Sequence, residues 1–201
     1  MATARTRDAG IVFEGHREVT TRPKMNAQKR TLLWINVLGG TAVLASYAWN
    51  LIAHPEAGGD FWGGVPNAMK SGYTVTMLLA ASGYFAFTRF VFRLRPAHVK
   101  IADRFGYGSF KWIYALILLP SALWMPLTFG MIENPSSGLW LSIRLTLAAV
   151  GIGSLMLVAA LLQLQPRSPN GAYRLAVVGS IAFTFQTAVL DALVWPAYFP
   201  A

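Results

Sequence analysis

The 201-residue chain contains no cysteine, which excludes disulfides, thiolate metal sites and cysteine nucleophiles. Histidine is nearly as scarce. His16, His54 and His98 lie far apart and outside the apolar runs, which argues against a haem held between two histidines inside a helical bundle. Charge is low as well: 12% of residues are charged, about half the ~25% usual in soluble domains. No P-loop, GxSxG elbow, paired-carboxylate site or His/Glu metal spacing is present, so no enzymatic activity is expected. Gly106-Tyr107-Gly108 does not make a phosphate cradle, because no Lys-Ser/Thr follows it.

Apolar sequence dominates, at 55% of residues with a mean hydropathy of +0.46. It falls into five runs, about 31–53, 71–92, 110–132, 139–163 and 173–197. Each is near the ~20 residues that a helix needs to cross a bilayer. The expected fold is therefore an all-α membrane protein, a bundle of five transmembrane helices over 31–201 behind a polar, basic tail over 1–30. No apolar h-region follows Met1, so the tail does not read as a secretory signal. It reads as a flexible tail, or as an arm that docks on a partner or on anionic lipid.

The net charge of +9 is explained by topology rather than by nucleic-acid binding. Fifteen of the 17 Lys and Arg residues fall on one side of the spans, in three groups. Arg5, Arg7, Arg17, Arg22, Lys24, Lys29 and Arg30 precede the first span. Arg89, Arg93, Arg95, Lys100, Arg104 and Lys111 surround the second link, and Arg167 and Arg174 the fourth. Only Lys70 and Arg144 fall elsewhere. By the positive-inside rule the N-terminus is inside and the C-terminus outside, in a bacterial inner membrane or an organelle membrane. Trp34, Trp49, Trp62, Trp112, Trp140 and Trp195 lie near span ends, as an aromatic belt predicts.

Polar residues within the spans are the candidate site. Arg144 and Asp191 each fall roughly 8–9 Å below the outer boundary at 1.5 Å per residue. They are candidates for an interhelical ion pair, or for the polar end of a ligand pocket. Thr184, Thr187, Asp191 and Trp195 form a stripe at helical spacing, as do Asn36, Gly40, Val43, Tyr47 and Asn50 in the first span. Tyr73, Thr76, Ala80 and Gly83 do the same in the second. In the third, Pro120 and Pro126 predict a kinked helix, and Ser121, Trp124 and Thr128 share a face. Stripes of small and polar residues also serve as ordinary helix–helix contacts. Convergence favours a pocket, because Tyr47, Asn50, Tyr73, Thr76, Trp124, Thr128, Arg144, Asp191 and Trp195 all map to the outer half. Ala149 and Gly153 make a small-xxx-small pair for the bundle or for a dimer. The outer loop, with Phe61 and Trp62, is either a lid over the pocket or a plain linker.

Trp124-Met125-Pro126-Leu127-Thr128-Phe129-Gly130 resembles the W-S-P-x-F-F-G signature of the tryptophan-rich sensory protein (translocator protein) family. Leu190-Asp191-Ala192-Leu193-Val194-Trp195 is similar to that family's L-N-x-x-I-W, and Thr76, Leu78, Ala80 and Gly83 match the spacing of its second helix. The resemblance covers spans two, three and five. It implies a five-helix bundle, commonly homodimeric, that binds a porphyrin, a sterol or a similar flat apolar molecule. Such proteins act as sensors, carriers or regulators. Trp124, Phe129, Asp191 and Trp195 are the matched residues that would line the pocket. The family's P-x-W-x-P-P loop motif is absent, its asparagine is Asp191 here, and Arg144 is an addition. Arg144 suits a ligand carboxylate such as a porphyrin propionate. The rival reading is a non-catalytic accessory subunit of a larger membrane complex, with its aromatic surfaces holding neighbours, pigments or lipid.

Overall fold

The computed structural model describes residues 26–55, 59–167 and 169–199. Most of the basic tail, residues 1–25, lies outside them. Five long helices appear among the described residues: α1 (Ala27–Ala53), α2 (Asn67–Arg93), α3 (Ser109–Glu133), α4 (Ser137–Leu162) and α5 (Gly171–Tyr198). All five are long and apolar enough to cross a membrane. The five expected runs are thus the five helices, extended by a few residues at most ends by capping. Asn26 Oδ1 accepts from the Gln28 N–H at 2.9 Å, Ser136 Oγ from Leu139 at 3.2 Å, and Asn170 Oδ1 from Tyr173 at 2.9 Å. Each side chain satisfies a first-turn donor that the helix itself leaves free.

The helices form an all-α bundle in which α1 packs on α3, α3 on α4, α4 on α5 and α5 on α2. Small residues set these approaches, because they let helix backbones come into close contact. Gly83 of α2 lies directly against Gly179 of α5. A Cβ on Gly179 would sit 2.8 Å from the Gly83 Cα, and one on Gly83 would run into the Gly179 carbonyl. Gly153, from the small-xxx-small pair, faces α3, where a Cβ would meet Ile117 at 2.9 Å. It therefore serves the bundle. The α3 helix is continuous through Pro120 and Pro126. Ser121 Oγ donates to the Ile117 carbonyl at 2.7 Å and Thr128 Oγ1 to that of Trp124 at 2.8 Å.

One end of the bundle carries a feature the apolar pattern does not announce, a three-stranded antiparallel sheet of two-residue strands. β1 (Lys100–Ile101) pairs with β2 (Phe105–Gly106) and with β3 (Leu164–Gln165). A turn with positive φ at Ala102 and Asp103 joins β1 to β2, the backbone twist that suits a tight hairpin. The sheet ties the α2–α3 link to the α4–α5 link. Lys29 Nζ donates to the Phe92 carbonyl at the end of α2, 2.7 Å away. The starts of α1, α3 and α5 and the ends of α2 and α4 meet here, so the described basic groups of the sequence gather at this sheet end. Its core is dense: Phe87, Phe110, Tyr114, Leu157 and Leu161 are fully buried. Outward-facing apolar positions on the same helices are open, as with Phe85 at 73% exposed against Phe87 at 0%.

The opposite, loop end is built from the α1–α2 connection. A short 3-10 turn at Asp60–Trp62 folds across the bundle. The Trp195 indole N–H donates to the Phe61 carbonyl at 2.9 Å, and the Gly64 N–H to that of Tyr198 at 2.7 Å. Gly63 has a φ of 54°, and a Cβ there would meet the Phe199 backbone at 2.9 Å, so glycine is required on both counts. The loop is therefore tied down over the helices as a cover, not left as a free linker. His54 Nδ1 lies 3.1 Å from Glu133 Oε1 and joins the ends of α1 and α3.

Candidate functional site

Beneath the loop lies a cavity of about 390 Å³, to which all five helices contribute. Ligand pockets of globular proteins run from about 300 to 1,000 Å³. Val43, Tyr47 and Leu51 reach it from α1, Tyr73, Met77 and Ala80 from α2, Ser121 and Trp124 from α3, and Leu147 and Val150 from α4. Phe183, Gln186, Thr187, Asp191 and Trp195 come from α5, and Phe61 and Trp62 close it from the loop. Its wall is aromatic. Tyr47 and Trp124 have ring centroids 5.7 Å apart, Trp124 and Trp195 5.8 Å, and Trp62 and Tyr73 5.8 Å. Trp195 is only 3% exposed and stacks on Phe199 at 4.5 Å, so it belongs to the interior rather than to a lipid-facing belt. Trp34, Trp49 and Trp112, by contrast, are exposed as a belt requires.

The chemistry of the cavity comes from the shape of α5. Residues Phe185–Val194 form a π-helix inside the longer helix, and the last turn returns to α geometry at Trp195–Tyr198. A π-helix bonds each N–H to the carbonyl five residues back, as the Trp195 N–H does to the Leu190 carbonyl. Residues five apart are then one turn apart. Gln186 and Asp191 meet in this way, with Gln186 Nε2 donating to Asp191 Oδ1 at 2.7 Å. Tyr73 Oη donates to the Leu190 carbonyl at 3.0 Å and fixes α2 against the same segment. Thr187 Oγ1 donates to Ser154 Oγ of α4 at 2.9 Å. Two buried polar atoms of the lining have no partner: the indole N–H of Trp124 and the Oε1 of Gln186. Buried polar groups are almost always paired, so two orphans among the described lining residues are exceptions to that rule.

Of the ten residues expected to form the site, Tyr47, Tyr73, Trp124, Asp191 and Trp195 line the cavity. Asn50, Thr76, Thr128, Phe129 and Arg144 do not. Asn50 donates to the Ser46 carbonyl at 2.7 Å, Thr76 to Tyr73 at 2.9 Å and Thr128 to Trp124. Their polar groups are satisfied within their own helices. Phe129 is buried against His54, ring to ring at 4.8 Å. Arg144 and Asp191 do not form an ion pair. Arg144 is exposed and lies over the Trp140 ring, 6.0 Å from its centroid, while Asp191 takes Gln186 as its partner. Equal depth in the sequence does not bring the two charges together. Arg144 is not among the residues that line this cavity. Gln186 is the residue that reasoning from α-helical spacing missed. Five residues from Asp191, it belongs to another face of an α-helix and to the same face of a π-helix.

No protein-family model, curated protein or solved structure matches the chain. The functional reading therefore rests on the cavity and on the residues that line it.

Proposed function

We propose that this chain is an integral membrane protein that binds a flat, apolar small molecule in the loop-end cavity. The N-terminus and the sheet end lie on the inner side of the membrane, and the loop end on the outer side. The observation that carries this reading is the cavity itself, with walls from all five helices, paired aromatic rings and two unpartnered polar atoms. Flat rings bind where aromatic faces can stack or pack edge to face, and a few fixed polar groups orient them. The resemblance to the tryptophan-rich sensory protein family joins the proposal at this point. Three of its four matched pocket residues, Trp124, Asp191 and Trp195, line the cavity. The inward convergence of five aromatic and acidic side chains favours ligand binding over the accessory-subunit reading, which would turn such residues outward. Five charge-poor apolar helices, with the basic residues gathered at one end, support the membrane topology.

Tryptophan emission of the purified full chain in phosphatidylcholine nanodiscs, titrated with 1-pyrenemethanol and with protoporphyrin IX, tests the proposal. We expect saturable quenching by at least one probe, and an affinity about ten-fold lower in Trp124→Ala, the size of effect lost with one stacking ring. Quenching that tracks only partitioning into empty nanodiscs, for both probes, would overturn it.

A further inference from the structure

The cavity has an electrostatic sign. Among the described residues that line it, Asp191 is the one acid, and there is no Lys, Arg or His. Arg144 is exposed, lies over the Trp140 ring and is not among the lining residues. Asp191 receives one hydrogen bond, from the amide of Gln186, and no cation. A carboxylate at membrane depth without a counter-charge is costly, and such acids pair with another group or mark the path of a substrate. Beside it, Gln186 is 4% exposed and presents Oε1, an acceptor, without a donor. Among the described residues, then, Asp191 has a donor on Oδ1 alone, and Gln186 Oε1 has none. Tyr47, Tyr73, Trp124 and Trp195 line the same cavity, and aromatic faces attract cations by their quadrupoles.

We infer that the cavity selects flat apolar molecules that carry a protonated amine and disfavours those that carry a carboxylate. The inference rests on the proposed binding function and narrows its ligand class. The ammonium N–H groups donate to the Asp191 carboxylate while the ring system lies along the tryptophans. The one unpartnered donor, the Trp124 indole N–H, takes a neutral acceptor elsewhere on the ligand, such as an ether or carbonyl oxygen. A ligand carboxylate would have that single N–H for support and would face the Asp191 carboxylate with no cation between them.

Three probes with one aromatic body decide the matter: 1-pyrenemethylamine, 1-pyrenemethanol and 1-pyrenecarboxylate, titrated at pH 7 into the full chain in phosphatidylcholine nanodiscs. Energy transfer from tryptophan to pyrene is the readout, corrected by empty nanodiscs. We expect the amine to bind about ten-fold more tightly than the alcohol, from charge pairing and aromatic faces together. The carboxylate should bind more weakly than the alcohol. In Asp191→Asn the amine should fall to the level of the alcohol, whose own binding reports that the cavity is intact. Equal affinity of amine and alcohol in the native chain, or a preference that survives Asp191→Asn, would overturn the inference and leave the binding function standing. If none of the three binds saturably, the binding function itself falls and this inference with it. Should Asp191→Asn fail to fold, the order of the three probes on the native chain decides alone.

Discussion

The two ends of the bundle are built from the same apolar residues and behave as opposites. At the sheet end, side chains from several helices fill a continuous core, and polar groups find each other. Tyr84 Oη donates to Asn36 Oδ1 at 2.7 Å, Thr88 and Tyr114 share a hydrogen bond of 3.0 Å, and a sheet joins two links. At the loop end the helices leave a cavity, and among its described lining residues Gln186 of the π-helical stretch and Trp124 of α3 each have a buried polar atom without a partner. The sheet end has an orphan too, the hydroxyl of Tyr107, which lies outside the long helices. Burial pushes that phenol up to about 12, so it remains neutral at ordinary pH. What differs is the kind of order. One end is packed for stability, and the other is held open by fixed elements around it, which is the preorganisation that the proposed binding function calls for.

Substitutions that act on the whole bundle should have the largest effect. Gly83→Leu forces α2 away from Gly179 and α5, and both ends depend on that contact. We expect a loss of more than about 3 kcal/mol, beyond ordinary overpacking because backbone cannot give way. Tryptophan-monitored thermal unfolding should show it, and an unchanged transition would mean that the two helices do not meet at these glycines. A matched pair of truncations sharpens the comparison of the ends. Phe87→Ala in the sheet-end core should cost about 3–5 kcal/mol, while Met77→Ala on the cavity wall should cost under about 1 kcal/mol, since it enlarges a space already present. Equal costs in denaturant titrations would show the loop end to be packed as tightly as the sheet end.

The smallest effect is local. Trp195→Phe keeps the ring and removes the hydrogen bond to the Phe61 carbonyl, with a cost of about 1 kcal/mol. Its clearer signature is faster amide hydrogen exchange over residues 59–66, with α3 and α4 unchanged. Exchange that is unaltered in that segment would show that the bond does not hold the loop over the cavity.

Much of the architecture is legible in the chain. The five helices follow from five apolar runs separated by short polar links, because a run of that length and composition has few other ways to satisfy its backbone. The clustering of basic residues at one end follows from alternation alone. Five of the ten expected site residues could be placed because aromatic and acidic residues inside apolar runs are few and their depth can be counted. The tertiary structure decided the rest. It set the rotation of α4 that turns Arg144 outward, since depth along a helix says nothing of direction around a bundle. It also made the small sheet, whose two-residue strands carry no periodic signal. Above all it made the π-helical register of α5, which brings Gln186 to Asp191 by changing the number of residues per turn. Spacing in sequence becomes spacing in space only when that number is known, and here packing against α2 and α4 accompanies the change.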